Sequence, residues 1–170
     1  DRSRGLGDVY KRQDHDNVQS VKKAIALISR EPDKYKNFKF VSGCEFLLHG
    51  YDVPYSGFEA VGLGFNPFDK NLAPLMKGFC ANNHVSDIKK ITDAGGILSW
   101  AHPLITPDKL NNHFFEFLKK HGINGVEGNY QYCKWDNEYI MSIKPRLDGF
   151  IKKFQMFVTG GTDSHRKTIF

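Results

Sequence analysis

The spacing of apolar residues along the chain predicts helices that alternate with short strands. The first helical repeat follows Asn17, a residue that can cap a helix, and it consists of Val18, Val21, Ala24, Ile25 and Ile28. The same spacing predicts further helices over residues 85–94, 111–121 and 135–153. Pro145 lies inside the last of these, so we expect that helix to be kinked or divided in two.

Short apolar runs without helical spacing predict the strands. They are bounded by glycine, proline or charged residues, and they cover residues 38–46, 58–65, 97–101, 123–127 and 157–159. Alternation of strands and helices is typical of the α/β class. It predicts a single domain built on a parallel sheet or a (β/α) barrel.

The composition is that of a globular protein rather than a disordered or membrane-spanning one. The 170 residues are enough to bury a sizeable core, and 40% of them are apolar and 14% aromatic. No apolar run is long enough to cross a bilayer. Because Cys44, Cys80 and Cys133 form no Cys-x-x-Cys pair, we expect reduced thiols and a cytoplasmic protein.

Residues 1–13 differ from the rest of the chain. They hold four basic and two acidic side chains, and so supply +2 of the formal net charge of +5. The segment has no apolar periodicity and resembles the translation of a sequencing-library adaptor. We therefore interpret it as a non-native or disordered tail and expect the folded domain to cover residues 14–170. The remaining +3 does not indicate a nucleic-acid-binding surface.

Histidines and acidic residues recur where the predicted strands end. Asp163 and His165 follow the last strand and a Gly-Gly pair, and residues two apart share one face of an extended chain. Glu45, His102 and Glu127 fall at, or just past, the ends of three other predicted strands. In parallel α/β folds these ends meet on one side of the molecule, so we expect the side chains to converge. A mixed set of imidazole and carboxylate ligands favours Zn²⁺, Mn²⁺ or Fe²⁺ over Ca²⁺ or Mg²⁺.

Five segments resemble, in order and spacing, the successive motifs of the PHP (polymerase and histidinol phosphatase) family. They are Asp14-His15-Asp16, Gly43-Cys44-Glu45, residues 95–103 (GGILSWAHP), Gly125-Val126-Glu127 and residues 160–165 (GGTDSH). The resemblance implies a distorted (β/α)₇ TIM-like barrel with a centre of two or three metal ions. It also implies a phosphoesterase, in which a metal-activated water hydrolyses phosphate monoesters or diesters.

The resemblance further implies metal ligands at five positions: His15, Glu45, His102, Asp163 and His165. Glu45 would be the carboxylate that bridges two ions, and catalysis would depend on Glu45 and Asp163. Glu59 stands where the family often has a histidine, and it is a sixth candidate ligand that would make the site richer in oxygen. Each candidate has a simpler alternative. His15 could belong to a helix N-terminus, Glu45 and Glu59 could face solvent, and His102 could be a buried, hydrogen-bonded histidine. We interpret Glu127 not as a ligand but as a residue that either supports a ligand or stabilises the fold.

Arg166 and Lys167 follow the last candidate ligand and are candidate phosphate-binding residues, since guanidinium and ammonium groups both bind phosphate. The alternative is a solvated pair of charges. Residues 62–67 (GLGFNP) resemble the branch of the family that acts on nucleoside 3′,5′-bisphosphates or on the 5′ ends of short RNA. We therefore expect a phosphorylated small molecule or nucleotide as the partner, without a membrane or a stable nucleic-acid complex.

Two departures from the family pattern affect these expectations. The opening His-x-His motif is absent, so we expect a truncated N-terminus and an inactive fragment that lacks two metal ligands. The chain stops five residues after His165, so we expect the barrel to lack its last helix and strand. Two other functions stay open, namely a non-catalytic PHP module that acts as a scaffold and a different α/β metal-dependent hydrolase that cleaves a C–N bond.

Overall fold

The computed structural model describes residues 9–15, 18–49, 57–76, 83–130 and 137–161, and structural statements refer to this part of the chain. It contains seven strands and four α-helices: β1 Val9–His15, α1 Gln19–Arg30, β2 Lys39–His49, β3 Phe58–Leu63, β4 Asn83–His84, α2 Lys89–Asp93, β5 Ile97–Trp100, α3 Asn112–Lys120, β6 Gly125–Tyr130, α4 Asn137–Phe154 and β7 Phe157–Gly161. Short 3₁₀ helices cover Lys70–Leu75, Val85–Ile88, Pro103–Ile105 and Pro107–Lys109. The chain divides into two compact units, Asp1–Leu98 and Ser99–Phe170.

Strand β2 is central in the first unit. It pairs in parallel with β1 and with the short β4, and antiparallel with β3. The prediction of a parallel sheet is therefore wrong for β2 and β3. The reason is that only residues 50–57 connect these strands, whereas a parallel crossover needs about a dozen residues or more.

Strand β1 includes part of the segment that the sequence analysis interpreted as a tail. Val9 pairs with Lys39 and Gln13 pairs with Gly43, so five residues of that segment continue the strand that ends at His15. The core of this unit lies against β2, where Cys44, Phe46 and Leu48 are fully buried. Cys44 is thus a core residue.

In the second unit β6 lies between β5 and β7, and all three strands are parallel. Ser99 and Trp100, the residues of β5 that belong to this unit, pair with Gly125 and Val126. Gly125 permits the close approach of the Phe157 ring of β7, because a Cβ atom at position 125 would lie 2.2 Å from Cε2 of that ring. The strands and their parallel order agree with the predicted alternation.

Aromatic rings form the core of the second unit. Trp100 packs edge-to-face on Phe114 and Phe115 of α3, with ring centroids 4.9 and 5.8 Å apart. Phe115 in turn stacks on Phe150 and Phe154 of α4, at 4.8 and 5.3 Å. These contacts hold the C-terminal half of α4 in place, and α4 is one helix despite Pro145. The alternative of two separate helices is therefore wrong.

No helix in the described ranges combines the length and apolar character that spanning a membrane requires.

Candidate metal centre

Two carboxylates come together on neighbouring strands of the first unit. Glu45 of β2 is paired with Val61 of β3, and Glu59 of β3 is paired with Leu47 of β2. Since directly paired residues share a face and side chains alternate along a strand, the two glutamates are diagonal neighbours on one face. A carboxylate oxygen of Glu45 and one of Glu59 lie within 4.8 Å of each other.

The position of Glu45 corrects one detail of the sequence analysis. The glutamate was expected at the end of its strand, but β2 continues to His49. The strand is longer because an apolar run continues over residues 46–48, in which Phe46 and Leu48 are fully buried. Glu45 itself is 7% exposed, and Glu59 is half-buried, so the alternative that these two glutamates simply face solvent is not what the structure contains.

The electrostatics of this pair favour a cation. At an effective dielectric constant of about 20, two unit negative charges no more than 4.8 Å apart would repel each other by about 3.5 kcal/mol or more. A divalent cation between the carboxylates would turn that repulsion into attraction. Two carboxylates also leave room for further ligands, because ions of the Mn²⁺, Zn²⁺ and Fe²⁺ type take four or more donors. The donor set therefore fits a divalent metal ion.

His15 lies beside this pair along the backbone. It is the last residue of β1 and is the register partner of Glu45. The alternative that His15 belongs to a helix N-terminus is wrong, since α1 begins at Gln19. Three candidate ligands, His15, Glu45 and Glu59, thus occupy adjacent strands of the first unit.

His102 belongs to the second unit and follows β5 directly, as the sequence predicts. Its side chain is 8% exposed, and its backbone has φ 31° and ψ 55°, in the left-handed region. The backbone N–H of His102 donates a hydrogen bond to Oε2 of Glu127 at 3.2 Å. Pro103 then begins a 3₁₀ turn.

Glu127 is 2% exposed and lies inside β6, which continues to Tyr130. Its predicted place at a strand end is wrong because β6 extends three residues further. The hydrogen bond to His102 agrees with its interpretation as a structural residue.

Four of the predicted site residues lie outside the described residues, and their predicted roles stay predictions. They are the candidate ligands Asp163 and His165 and the candidate phosphate-binding residues Arg166 and Lys167.

A polar contact that no motif predicted lies in the second unit. Ser99 of β5 and Thr159 of β7 place their hydroxyl oxygens 2.7 Å apart. Thr159 is the register partner of Glu127, so the hydroxyl pair and the buried carboxylate share a face. Only the polar character of these strand positions in an otherwise apolar sequence could have indicated the contact.

Comparison with known proteins identifies similar solved structures. No protein-family model matches the chain, and no curated protein matches it. A protein from Bifidobacterium adolescentis that has been assigned as a metal-dependent phosphoesterase superposes with a TM-score of 0.67 at 13% identity, over 94% of this chain and 78% of that one. An amidohydrolase from Chromobacterium violaceum, solved with bound sulfate and no metal, gives a TM-score of 0.66 at 14% identity, with the same coverage of 94% and 78%.

At these identities the comparison establishes the fold. The chain shares its mixed α/β fold with both proteins, which is consistent with a PHP-like fold. Membership of the PHP family and closure of the barrel stay predictions.

Proposed function

We propose that the protein is a metal-dependent hydrolase that cleaves phosphoesters. The observation that carries the proposal is the pair of carboxylates, Glu45 and Glu59, on one face of β2 and β3 with oxygens within 4.8 Å. The fold shared with a protein assigned as a metal-dependent phosphoesterase supports the reaction class. The substrate class is a phosphorylated small molecule or nucleotide, such as a nucleoside 3′,5′-bisphosphate or the 5′ end of a short RNA.

The ligands proposed for the ions combine the described residues with those of the motifs. Glu45 and Glu59 would supply two carboxylates, and the family motifs add His102 as an imidazole ligand. His15, Asp163 and His165 would complete a centre of two or three Mn²⁺, Zn²⁺ or Fe²⁺ ions, with Glu45 as the bridging carboxylate. Nitrogen and oxygen donors in one set suit these three ions.

The chemistry divides between the ions and the protein. Divalent ions held by these residues would supply Lewis acidity, which would polarise a phosphoryl oxygen and make water a nucleophile at neutral pH. Glu45 and Glu59 would hold the positive charge at the face of the sheet, and the carboxylates of Glu45 and Asp163 would orient the attacking water. Arg166 holds the substrate phosphate through paired N–H donors and Lys167 adds a point charge.

Mn²⁺ binding and phosphate release test this proposal together. We expect the chain to bind Mn²⁺ in a titration followed by electron paramagnetic resonance. This binding should be largely lost when Glu45 and Glu59 are replaced by glutamine. We expect Mn²⁺-dependent phosphate release from a nucleoside 3′,5′-bisphosphate when the chain is supplied with the His-x-His motif of the family pattern. The matched control is Glu116→Gln, which changes an exposed glutamate of α3. Absence of Mn²⁺ binding by the wild-type chain would reject the proposal and favour a non-catalytic scaffold.

Cleavage of a C–N bond is the second candidate. It is favoured by the amidohydrolase from Chromobacterium violaceum, whose structural similarity to this chain is nearly the same as that of the phosphoesterase. Parallel assays with phosphomonoesters and with amide substrates, in the same Mn²⁺ buffer, separate the two reactions. Metal-dependent amide hydrolysis without phosphate release would replace the phosphoesterase proposal.

A further inference from the structure

His102 has a backbone conformation that residues with a side chain seldom adopt. Its φ of 31° lies in the left-handed region, where the Cβ atom crowds the backbone. Pro103 adds to this strain, because a proline disfavours helical conformations of the residue before it. Among the described non-glycine residues, only Gln155 also has positive φ. Gln155 directly follows α4, a place where left-handed residues are common, whereas His102 follows a strand.

Both polar groups of the His102 backbone are held. The carbonyl oxygen accepts a hydrogen bond from the N–H of Ile105 at 3.2 Å, within the 3₁₀ turn. The N–H of His102 donates to Oε2 of Glu127 at 3.2 Å, and His102 and Glu127 are both buried. A rare backbone conformation persists where its surroundings hold it. The Glu127 carboxylate holds the His102 backbone in this way from the neighbouring strand β6.

The strands around Glu127 fix the direction of its side chain. Glu127 is paired with Thr159, and the register of β6 against β7 shifts between Glu127 and Asn129. Such an irregularity re-aims the side chains beside it. The hydroxyl pair of Ser99 and Thr159 shares the face of Glu127, which gives this buried carboxylate a polar neighbourhood.

We propose that Glu127 is a positioning residue for His102. It holds the strained backbone of His102 through the main-chain N–H, and the backbone in turn sets the direction in which the imidazole leaves the chain. This inference rests on the proposed function in so far as His102 is a metal ligand. It goes further because Glu127 acts as a hydrogen-bond acceptor and does not itself bind the ion.

Two substitutions separate the role of hydrogen-bond acceptor from that of a charge or a ligand. Glu127→Gln keeps a carbonyl oxygen that can accept from the His102 N–H, whereas Glu127→Ala removes the acceptor. The control pair is Glu116→Gln and Glu116→Ala, at an exposed glutamate in the same unit. For each variant we would measure Mn²⁺ affinity by calorimetry, thermal unfolding, and hydrogen exchange of the His102 amide in protein labelled with ¹⁵N-histidine.

We expect Glu127→Ala to weaken Mn²⁺ binding by about tenfold or more, as loss of a group that orients a ligand typically does. The His102 amide should exchange faster in this variant. Glu127→Gln should stay within about threefold of the wild-type affinity, with a protected amide, because the acceptor is preserved. Both Glu116 variants should match the wild type.

Two results would overturn the proposal. One is wild-type Mn²⁺ affinity in Glu127→Ala. The other is a folded Glu127→Gln protein whose affinity falls about tenfold or more, which would make Glu127 a ligand or a required charge. If Glu127→Ala does not fold, Glu127→Gln alone decides. If the wild-type chain binds no Mn²⁺, the proposed function fails, and amide exchange at His102 still decides whether Glu127 holds this backbone.

Discussion

The two regions that carry candidate ligands place their side chains by different physical means. In the first unit, Glu45 and Glu59 are positioned by ordinary strand pairing, and their spacing follows from the register of β2 and β3. In the second unit, His102 is positioned by a strained backbone that a buried carboxylate holds. A pair set by strand register should tolerate changes elsewhere in the unit. A residue set by strain should depend on the packing behind it.

The largest expected effect is a loss of stability when the aromatic core around Phe115, which packs on Trp100 of β5, is disrupted. Phe115 is fully buried and contacts Trp100, Phe150 and Phe154. Replacing it with alanine removes most of these contacts and leaves a cavity, so we expect Phe115→Ala to lower the free energy of unfolding by about 3–5 kcal/mol. Denaturant titration measures this change. Met141→Ala, at a residue that is 70% exposed on α4, is the control and should change stability by less than about 0.5 kcal/mol.

The second largest effect should be on metal binding in the first unit. The double substitution Glu45→Gln and Glu59→Gln removes both negative charges from the shared face. We expect a loss of Mn²⁺ affinity of about 100-fold, or about 3 kcal/mol. Without metal, the thermal stability should not fall, because the repulsion between the two carboxylates is removed. Calorimetric titration and thermal unfolding in EDTA measure the two quantities. Unchanged affinity would show that the pair is not a metal site.

The same contrast explains how far the sequence alone could predict the structure. The helices were predicted well because their apolar residues recur at helical spacing, as Phe114, Phe115 and Leu118 on the buried side of α3 illustrate. The antiparallel pairing of β2 and β3 was missed, although the short connection over residues 50–57 carries that information. The proximity of Glu45 and Glu59 could not be predicted without the register, because a slip of one residue moves a side chain to the opposite face.

The backbone conformation of His102 was even less predictable from the sequence. The sequence places a histidine just after a strand, and the structure agrees. The following Pro103 favours an extended residue, so local chemistry points away from the observed φ of 31°. The tertiary hydrogen bond that the His102 N–H donates to Glu127, 25 positions away, competes with that local preference. Contacts between distant residues of this kind leave no periodic signal in a single sequence.

A smaller loss of stability should follow when a methyl group is added at Gly62 of β3, in the tightly packed part of the first unit. A Cβ atom at Gly62 would lie 2.9 Å from Cγ2 of Ile91 and 3.2 Å from Cε2 of Phe46. We expect Gly62→Ala to destabilise the protein by about 1–3 kcal/mol through overpacking. The control, Gly149→Ala, adds a methyl group to α4 where no atom outside the adjacent helix backbone lies within 4 Å, and should stabilise the protein by up to about 1 kcal/mol. Denaturant titrations of both variants give the comparison, and equal signs would contradict it.

The smallest effect should come from the strain at His102 itself. Both His102→Gly and His102→Ala remove the imidazole, but only glycine relieves the crowding of a Cβ atom at positive φ. We therefore expect His102→Gly to be more stable than His102→Ala by about 1 kcal/mol. The control pair is Thr106→Gly and Thr106→Ala, in the same loop at a φ of −128°, where glycine offers no relief and should be the less stable variant. If glycine were the less stable variant at both positions, the backbone of His102 would not be strained, and the two regions would place their ligands by the same means.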